Sequence, residues 1–312
     1  MAQNVSARAA SSPNIWRRFW SRSNERAGYF FILPSFIHIV IFLLIPVGFS
    51  FFLSFHDWKQ PRFQNAPYIG LDNYNFLMGD RRFWQAMGNS AYYTALSVPL
   101  GMAFSLLIAV VLNQKLKGVN LFRTLFFMPV ISSWVAVSII WVTLLDPNVG
   151  IVNYLLKVVG LPTVNWLGDP RSAMFSLVLI SIWKSAGFNM VIWLAGLQGI
   201  PQELYEVASI DGATRWQSFW GITLPLLAPT SFFLAITGVI GSFQVFSPVY
   251  VITKGGPLDS TDVAVYHIYR RAFQEFDFGY ASAQAWILFA VIFIATLLQV
   301  WYMRRQREEI QF

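Results

Sequence analysis

Six stretches of this chain run for 20 to 27 residues almost without charge: Tyr29 to Phe55, Asn89 to Leu112, Thr124 to Leu145, Ala173 to Leu197, Ala228 to Ile252 and Ala283 to Tyr302. Five contain no Asp, Glu, Lys or Arg, and the fourth contains only Lys184. At about 1.5 Å per residue, each stretch as a helix covers about 30 Å or more, the thickness of a bilayer's hydrocarbon core. Their apolar character runs round every face, unlike the one-sided stripe of a soluble surface helix. The expected fold is an all-α integral membrane protein with six transmembrane helices. Only 12% of the 312 residues are charged, against roughly 25% in soluble domains, which excludes a water-soluble globule. The aromatic content excludes disorder, and the absence of cysteine excludes disulfide scaffolds, thiolate metal sites and cysteine nucleophiles.

Lysines and arginines orient the bundle. With the N-terminus in the cytoplasm, 12 fall on that side and 9 on the other, with Lys184 inside a span. Arg17, Arg18, Arg22 and Arg26 crowd the first span and Arg304, Arg305 and Arg307 follow the last, where the positive-inside rule has most force. Both termini are expected inside. The chain then divides into a basic tail at 1–28, a six-helix domain at 29–305 and a short tail at 306–312; of the net charge of +7, +6 falls on the cytoplasmic side, none outside, and Lys184 supplies the rest. The stretch Ile15–Trp20 mixes aromatics with arginines and suits an anionic headgroup layer, although a disordered basic tail accounts for it equally well. The first span is too long for the core of a cleavable signal, and its Pro34 and Pro46 are expected to mark kinks.

Chemistry is conspicuous by what is missing. No G-x-x-x-x-G-K-[ST] occurs, nor even a Gly-Lys pair, so the chain is not expected to hydrolyse ATP itself. His38, His56 and His267 lie far apart, and no metal centre is expected. No span carries Asp or Glu, which disfavours a proton-relay carrier. These absences point to a pathway rather than a reaction centre.

The connection between spans four and five, 198–227, is long, polar and patterned. Pro201 suits a first helical position, Glu203 and Glu206 suit early turns where a carboxylate complements the helix dipole, and Asp211-Gly212 supplies a turn. A second short helix, Ala213 to Trp220, is expected next, with Leu224-Pro225 redirecting the chain into span five. The result is a compact helical hairpin on the cytoplasmic face.

Within it, Glu206, Ala208, Gly212, Ile222, Leu224 and Pro225 match E-A-A-x(3)-G-x(9)-I-x-L-P at the right spacing, with Val207 in place of the first alanine. This segment resembles the signature of permease subunits of binding-protein-dependent ATP-binding-cassette importers. The runs from Phe122 to Pro129, Asp146 to Asn153, Trp183 to Met190 and Gly241 to Phe246 are similar to the carbohydrate-uptake branch, as are Gly255-Gly256-Pro257 and Phe278 to Ala283. The combination looks like the first permease type of maltose or glycerol-phosphate systems, and the resemblance covers about 29–305.

The resemblance implies the type I ABC importer fold with a cytoplasmic coupling-helix loop. Glu203, Glu206, Ala208, Asp211, Gly212 and Arg215 would serve ATPase coupling, with Gly212 allowing close backbone approach. The partners implied are a second, related permease, two ABC ATPase subunits and an extracytoplasmic solute-binding protein. The chain would carry no cofactor of its own, ATP and magnesium being held by the ATPases. The implied function is that of a non-catalytic permease subunit of an ATP-driven sugar importer in a bacterial or archaeal inner membrane; the alternative is a stand-alone secondary carrier.

Two polar stripes mark where solute would pass. Ser181, Lys184, Ser185, Asn189 and Gly196 fall within an arc of about 140° on span four. Ser231, Thr237, Gly238, Gly241, Ser242 and Gln244 share one side of span five, with Trp183, Trp193, Phe243, Phe246 and Tyr250 as aromatic surface nearby. Hydroxyl, amide and aromatic groups together suit a sugar. Lys184, Asn189, Ser242, Gln244 and Tyr250 are the expected pathway residues. Small and polar residues at this spacing also serve plain helix packing.

Overall fold

The computed structural model describes residues 29–59, 66–114 and 117–310. Among the described residues the regular structure is helical, with only two isolated β-bridges, His56 to Tyr68 and Lys59 to Asp277. The chain forms two bodies, 1–53 and 54–312. The tail at 1–28, with its Ile15–Trp20 stretch, lies outside the described residues.

The described residues of the first body form one helix, α1 (Tyr29–Leu53). It passes through Pro34 in regular form and widens into a π turn at Val40–Leu44, just before Pro46. Proline removes one N–H and crowds the carbonyl four residues earlier, and the wider turn accommodates both. The irregularity expected at Pro46 therefore takes this form, and Pro34 causes no break.

The second body comprises α2 (Asp72–Gly79), α3 (Arg81–Leu112), α4 (Val119–Ile131), α5 (Trp134–Leu144), α6 (Ile151–Val158) and α7 (Pro170–Gln198). It continues with α8 (Gln202–Ile210), α9 (Arg215–Leu226), α10 (Ala228–Phe243), α11 (Ala264–Phe273) and α12 (Phe278–Ile310). Among the described residues four helices, α1, α3, α7 and α12, are long and apolar enough to span a membrane, and up to six spans result if the bent pairs α4–α5 and α9–α10 count once each.

Two expectations about the spans need correction, and the last helix runs on past its span. Span three is not one helix: α4 and α5 meet at 100° across Ser132 and Ser133. Pro129 weakens the last turn of α4 by lacking an N–H, and Ser133 caps a fresh helix by accepting from the Val135 N–H at 3.3 Å. Span five stops as a regular helix at Phe243 and resumes only as a π turn, Val249–Thr253. At the C-terminus, α12 continues to Ile310, well into the segment expected as a tail.

In lipid, the hydrophobic effect does not press helices together, so close packing carries the bundle. The central helix α7 illustrates this. An added Cβ at Gly187 would lie 2.1 Å from the Phe126 carbonyl oxygen, so α4 rests its backbone directly on α7. Helix α3 runs parallel to α7, with Tyr93 packed beside Leu177 and Val178 and, about three to four turns on, the Trp193 Nε1 donating to Ser105 Oγ at 3.2 Å. Helix α10 runs the other way: Thr230 lies against Gly196, and Ser242 Oγ is 3.2 Å from Ser97 Oγ. The C-termini of α3 and α7 thus share one end with residues 198–227, called here the loop end. The N-termini of α3, α7 and α12 share the far end.

Candidate functional site

At the loop end, Pro201 caps α8 rather than opening it, and Glu203 stands in the first turn, where a carboxylate offsets the helix dipole. The helix closes in a Schellman turn: the Ala213 N–H donates to the Ala208 carbonyl at 2.9 Å and the Gly212 N–H to the Ser209 carbonyl at 3.2 Å. Gly212 has φ +80°, the left-handed conformation this turn requires, and an added Cβ would meet nothing within 4 Å. The second helix begins at Arg215, later than expected, because Thr214 and Gln217 form a reciprocal capping box.

A π turn at Phe219–Thr223 accommodates Pro225, so the chain bends not there but at Leu227, by 62°. Tyr205 and Thr223 hydroxyls lie 2.8 Å apart and lock the hairpin to its own base. Glu203, Glu206, Asp211, Gly212 and Arg215 are all exposed and Ala208 is half-buried. Among the described residues, none of the four charged side chains makes an ion pair.

Between the ends, the two polar stripes face a common cavity of about 370 Å³, within the range of about 300 to 1,000 Å³ typical of ligand sites. Ser181, Ser185 and Asn189 of α7 line it, as do Thr237, Gly238, Gly241 and Ser242 of α10 and Gln244 just beyond. Phe246 supplies one aromatic wall. Tyr250 stands behind it, its ring stacked on Phe246 at 5.2 Å between centroids.

Lys184 also stands outside the lining. Its ammonium donates to the carbonyls of Pro129 at 2.9 Å, Val130 at 3.3 Å and Ser132 at 2.9 Å. Ser231 and Gly196 are likewise elsewhere, Gly196 being filled by Thr230. Trp193 is buried on Ser105, Phe243 joins the far-end core and Trp183 faces outward against Trp141.

The sequence reading missed Trp134, Tyr93, Ser97 and Phe188, which also line the wall. Trp134 was hidden because an unbroken span three gives no reason for it to face inward. Tyr93 and Ser97, four apart on α3, were detectable as a polar pair at helical spacing.

The far end is built from charge pairs. Asp80 caps α3 by accepting from the Arg82 and Phe83 N–H groups at 3.0 and 3.3 Å, and it accepts from the Tyr280 hydroxyl at 2.6 Å. Burial pushes this carboxyl up, but the Tyr280 hydroxyl, the two N–H groups and Arg271 outweigh it and hold Asp80 below the ordinary aspartate value. Burial raises Asp277 instead. Asp262 accepts from Arg270 at 3.0 Å and pairs with His267 at 3.0 Å, and Asn89 donates to the Asp259 and Asp262 carbonyls at 2.9 Å. The Gly255–Pro257 turn closes against this cluster through the Thr261 hydroxyl, which donates to the Gly256 carbonyl at 2.6 Å.

Residues 91–308 match the family described as "Binding-protein-dependent transport system inner membrane component". The chain is 42% identical to the probable ABC transporter permease protein YesP of Bacillus subtilis (strain 168), over 89% of this chain and 90% of that protein. It is 33% identical to the trehalose/maltose transport system permease protein MalF of Thermococcus litoralis, covering 91% of this chain and 95% of that one. A chain in the crystal structure of a bacterial alginate ABC transporter in complex with alginate pentasaccharide-bound periplasmic protein superposes with a TM-score of 0.80 at 29% identity, covering 92% and 98% of the two chains. A stand-alone carrier is not what these relatives are, and the chain belongs to the inner-membrane components of binding-protein-dependent transport systems, the permeases of ABC transporters.

Proposed function

We propose that this chain is the permease subunit of an ATP-driven importer of a mono-, di- or oligosaccharide, and that solute passes through the cavity between α3, α7 and α10. The observation that carries this reading is the convergence of Asn189, Ser242 and Gln244 with Phe246 on one cavity. Amides and hydroxyls exchange hydrogen bonds with sugar hydroxyls while an aromatic ring covers an apolar sugar face. Relatives named for trehalose/maltose and alginate transport support the substrate class.

In this reading the loop end is cytoplasmic, as are both termini. The hairpin of α8 and α9 docks in an ATPase subunit, two of which hold ATP and magnesium. A second, related permease completes the pathway, and a solute-binding protein delivers sugar at the far end. No covalent step involves this chain. ATP-driven closure of the ATPases moves the hairpin, and the bundle rocks between inward-facing and outward-facing states.

The test is uptake of labelled maltose, trehalose and lactose by the assembled transporter in proteoliposomes. Gly212→Val forces a β-branched residue into a left-handed turn. It is expected to abolish ATP-driven uptake while the complex still assembles; normal uptake in that variant overturns the docking role. Asn189→Leu and Gln244→Leu are expected to lower uptake without affecting assembly.

A further inference from the structure

The broken third span and the lysine beside it lie outside everything assigned above. The last turn of α4 ends against α7 within the expected third span, and a helix C-terminus leaves carbonyls with no intrahelical partner. In a bilayer each such group costs several kcal/mol if left bare. Lys184, 6% exposed, meets this need from α7: one ammonium takes the carbonyls of Pro129, Val130 and Ser132. One turn further along α7, Gly187 lets the Phe126 backbone lie directly on the helix. Backbone contact and charged cap together fix where α4 stops.

What the break accomplishes is visible at its other side. Helix α5 starts afresh at Trp134, turned 100° from α4, and its indole becomes part of the cavity wall. The Lys184 ammonium sits 5.0 Å from the centroid of that indole, within cation–π range. A continuous helix through Ser132 and Ser133 would leave both the carbonyls and the indole in other positions.

We propose that Lys184 is a positioning residue: it caps the break in span three and thereby holds Trp134 in the translocation cavity as a stacking surface for the ring face of a sugar. This rests on the reading of the cavity as an aqueous pathway, and the test separates the two. The chain contains no cysteine, so Trp134→Cys, Ser242→Cys and the outward-facing Trp183→Cys each introduce a single thiol. The assembled transporter carrying each variant is treated in proteoliposomes with a charged, water-soluble methanethiosulfonate, and labelling of this chain is followed by mass.

Position 134 is expected to label at a rate near that of position 242 and at least about tenfold faster than position 183. Adding Lys184→Met is expected to slow position 134 by about tenfold, as loss of a cap of this strength implies, while position 242 is unchanged and Lys184→Arg restores the rate. Where Lys184→Met fails to assemble, Lys184→Gln takes its place, with an intermediate loss expected. If position 242 labels but position 134 is as slow as 183, or if the lysine variants slow both cavity positions equally, the positioning role is overturned. If position 242 itself fails to label, the pathway reading fails instead.

Discussion

The two ends of the bundle treat charge in opposite ways. At the loop end Glu203, Glu206, Asp211 and Arg215 are exposed and unpaired within the described residues. At the far end Asp262, 3% exposed, sits between His267 and Arg270, and Asp80 joins Tyr280 and Arg271. Two glycines show the same contrast. Gly212 faces open space, whereas a Cβ on Gly279 would meet the His56 carbonyl oxygen at 2.2 Å. A surface that invests its polar groups in itself holds the protein together, and one that leaves them free is built to engage another molecule. Substitutions at the far end are therefore expected to reduce stability, and those at the loop end to reduce transport.

The largest contrast comes from the two glycines. Gly279→Ala drives a methyl into backbone that no side-chain rotation can clear, and it is expected to destabilise by about 3 kcal/mol or more, seen as loss of monodisperse complex in detergent. Gly212→Ala pays only the left-handed strain of about 1 to 2 kcal/mol and assembles. Equal loss in both variants would break the comparison. Next is Asp262→Ala, which strands the buried His267 ring and leaves Arg270 only its longer 3.7 Å pair with Asp259, and is expected to cost about 3 kcal/mol in thermal unfolding. Two buried atoms already without partners, Asp262 Oδ1 and His267 Nε2, leave little slack there.

Asp80→Ala comes third. It removes a helix cap and the acceptor of Tyr280, for about 2 kcal/mol. Its sign with pH is set by the lowered pKa: Asp80 contributes fully above the ordinary value of 3.8 and loses its contribution as pH falls through the lowered one. Unfolding temperature measured against pH is expected to drop on that acidic limb in the parent and to flatten in Asp80→Asn.

How much of this was legible in the sequence follows from the range of the forces involved. The hairpin was readable because its determinants are local: a helix, a left-handed glycine and a new cap within 20 residues, recorded as Glu206, Gly212 and Pro225 at fixed spacing. The cavity was half readable. Helical periodicity placed Asn189, Ser242 and Gln244 on inward faces, and they meet in one cavity. Periodicity could not show that Trp193 would turn to Ser105, 88 residues away, or that Lys184 would find carbonyls more than 50 residues earlier. The break in span three was overlooked for the same reason. Pro129 and the two serines permit it, but the lysine that sustains it comes from another helix.

The smallest effect on stability, and the sharpest test of the comparison, belongs to the loop-end carboxylates. Glu203 and Glu206 lie three apart on α8, hence on one face, and neither makes an ion pair among the described residues. Glu203→Gln removes a favourable first-turn charge worth a fraction of a kcal/mol, and Glu206→Gln removes still less from the isolated chain. Melting of the purified permease is expected to be unchanged in both. ATP-driven uptake is expected to fall severalfold in Glu206→Gln, and the fall is expected to shrink as salt rises, since an exposed charge contact with a partner is screened over about 10 Å at 0.1 M. An uptake defect with no salt dependence would mean that Glu206 acts through shape rather than charge. No defect at all would mean that the hairpin is gripped through Gly212 and its turn, with the carboxylates serving only to keep the exposed helix in solution.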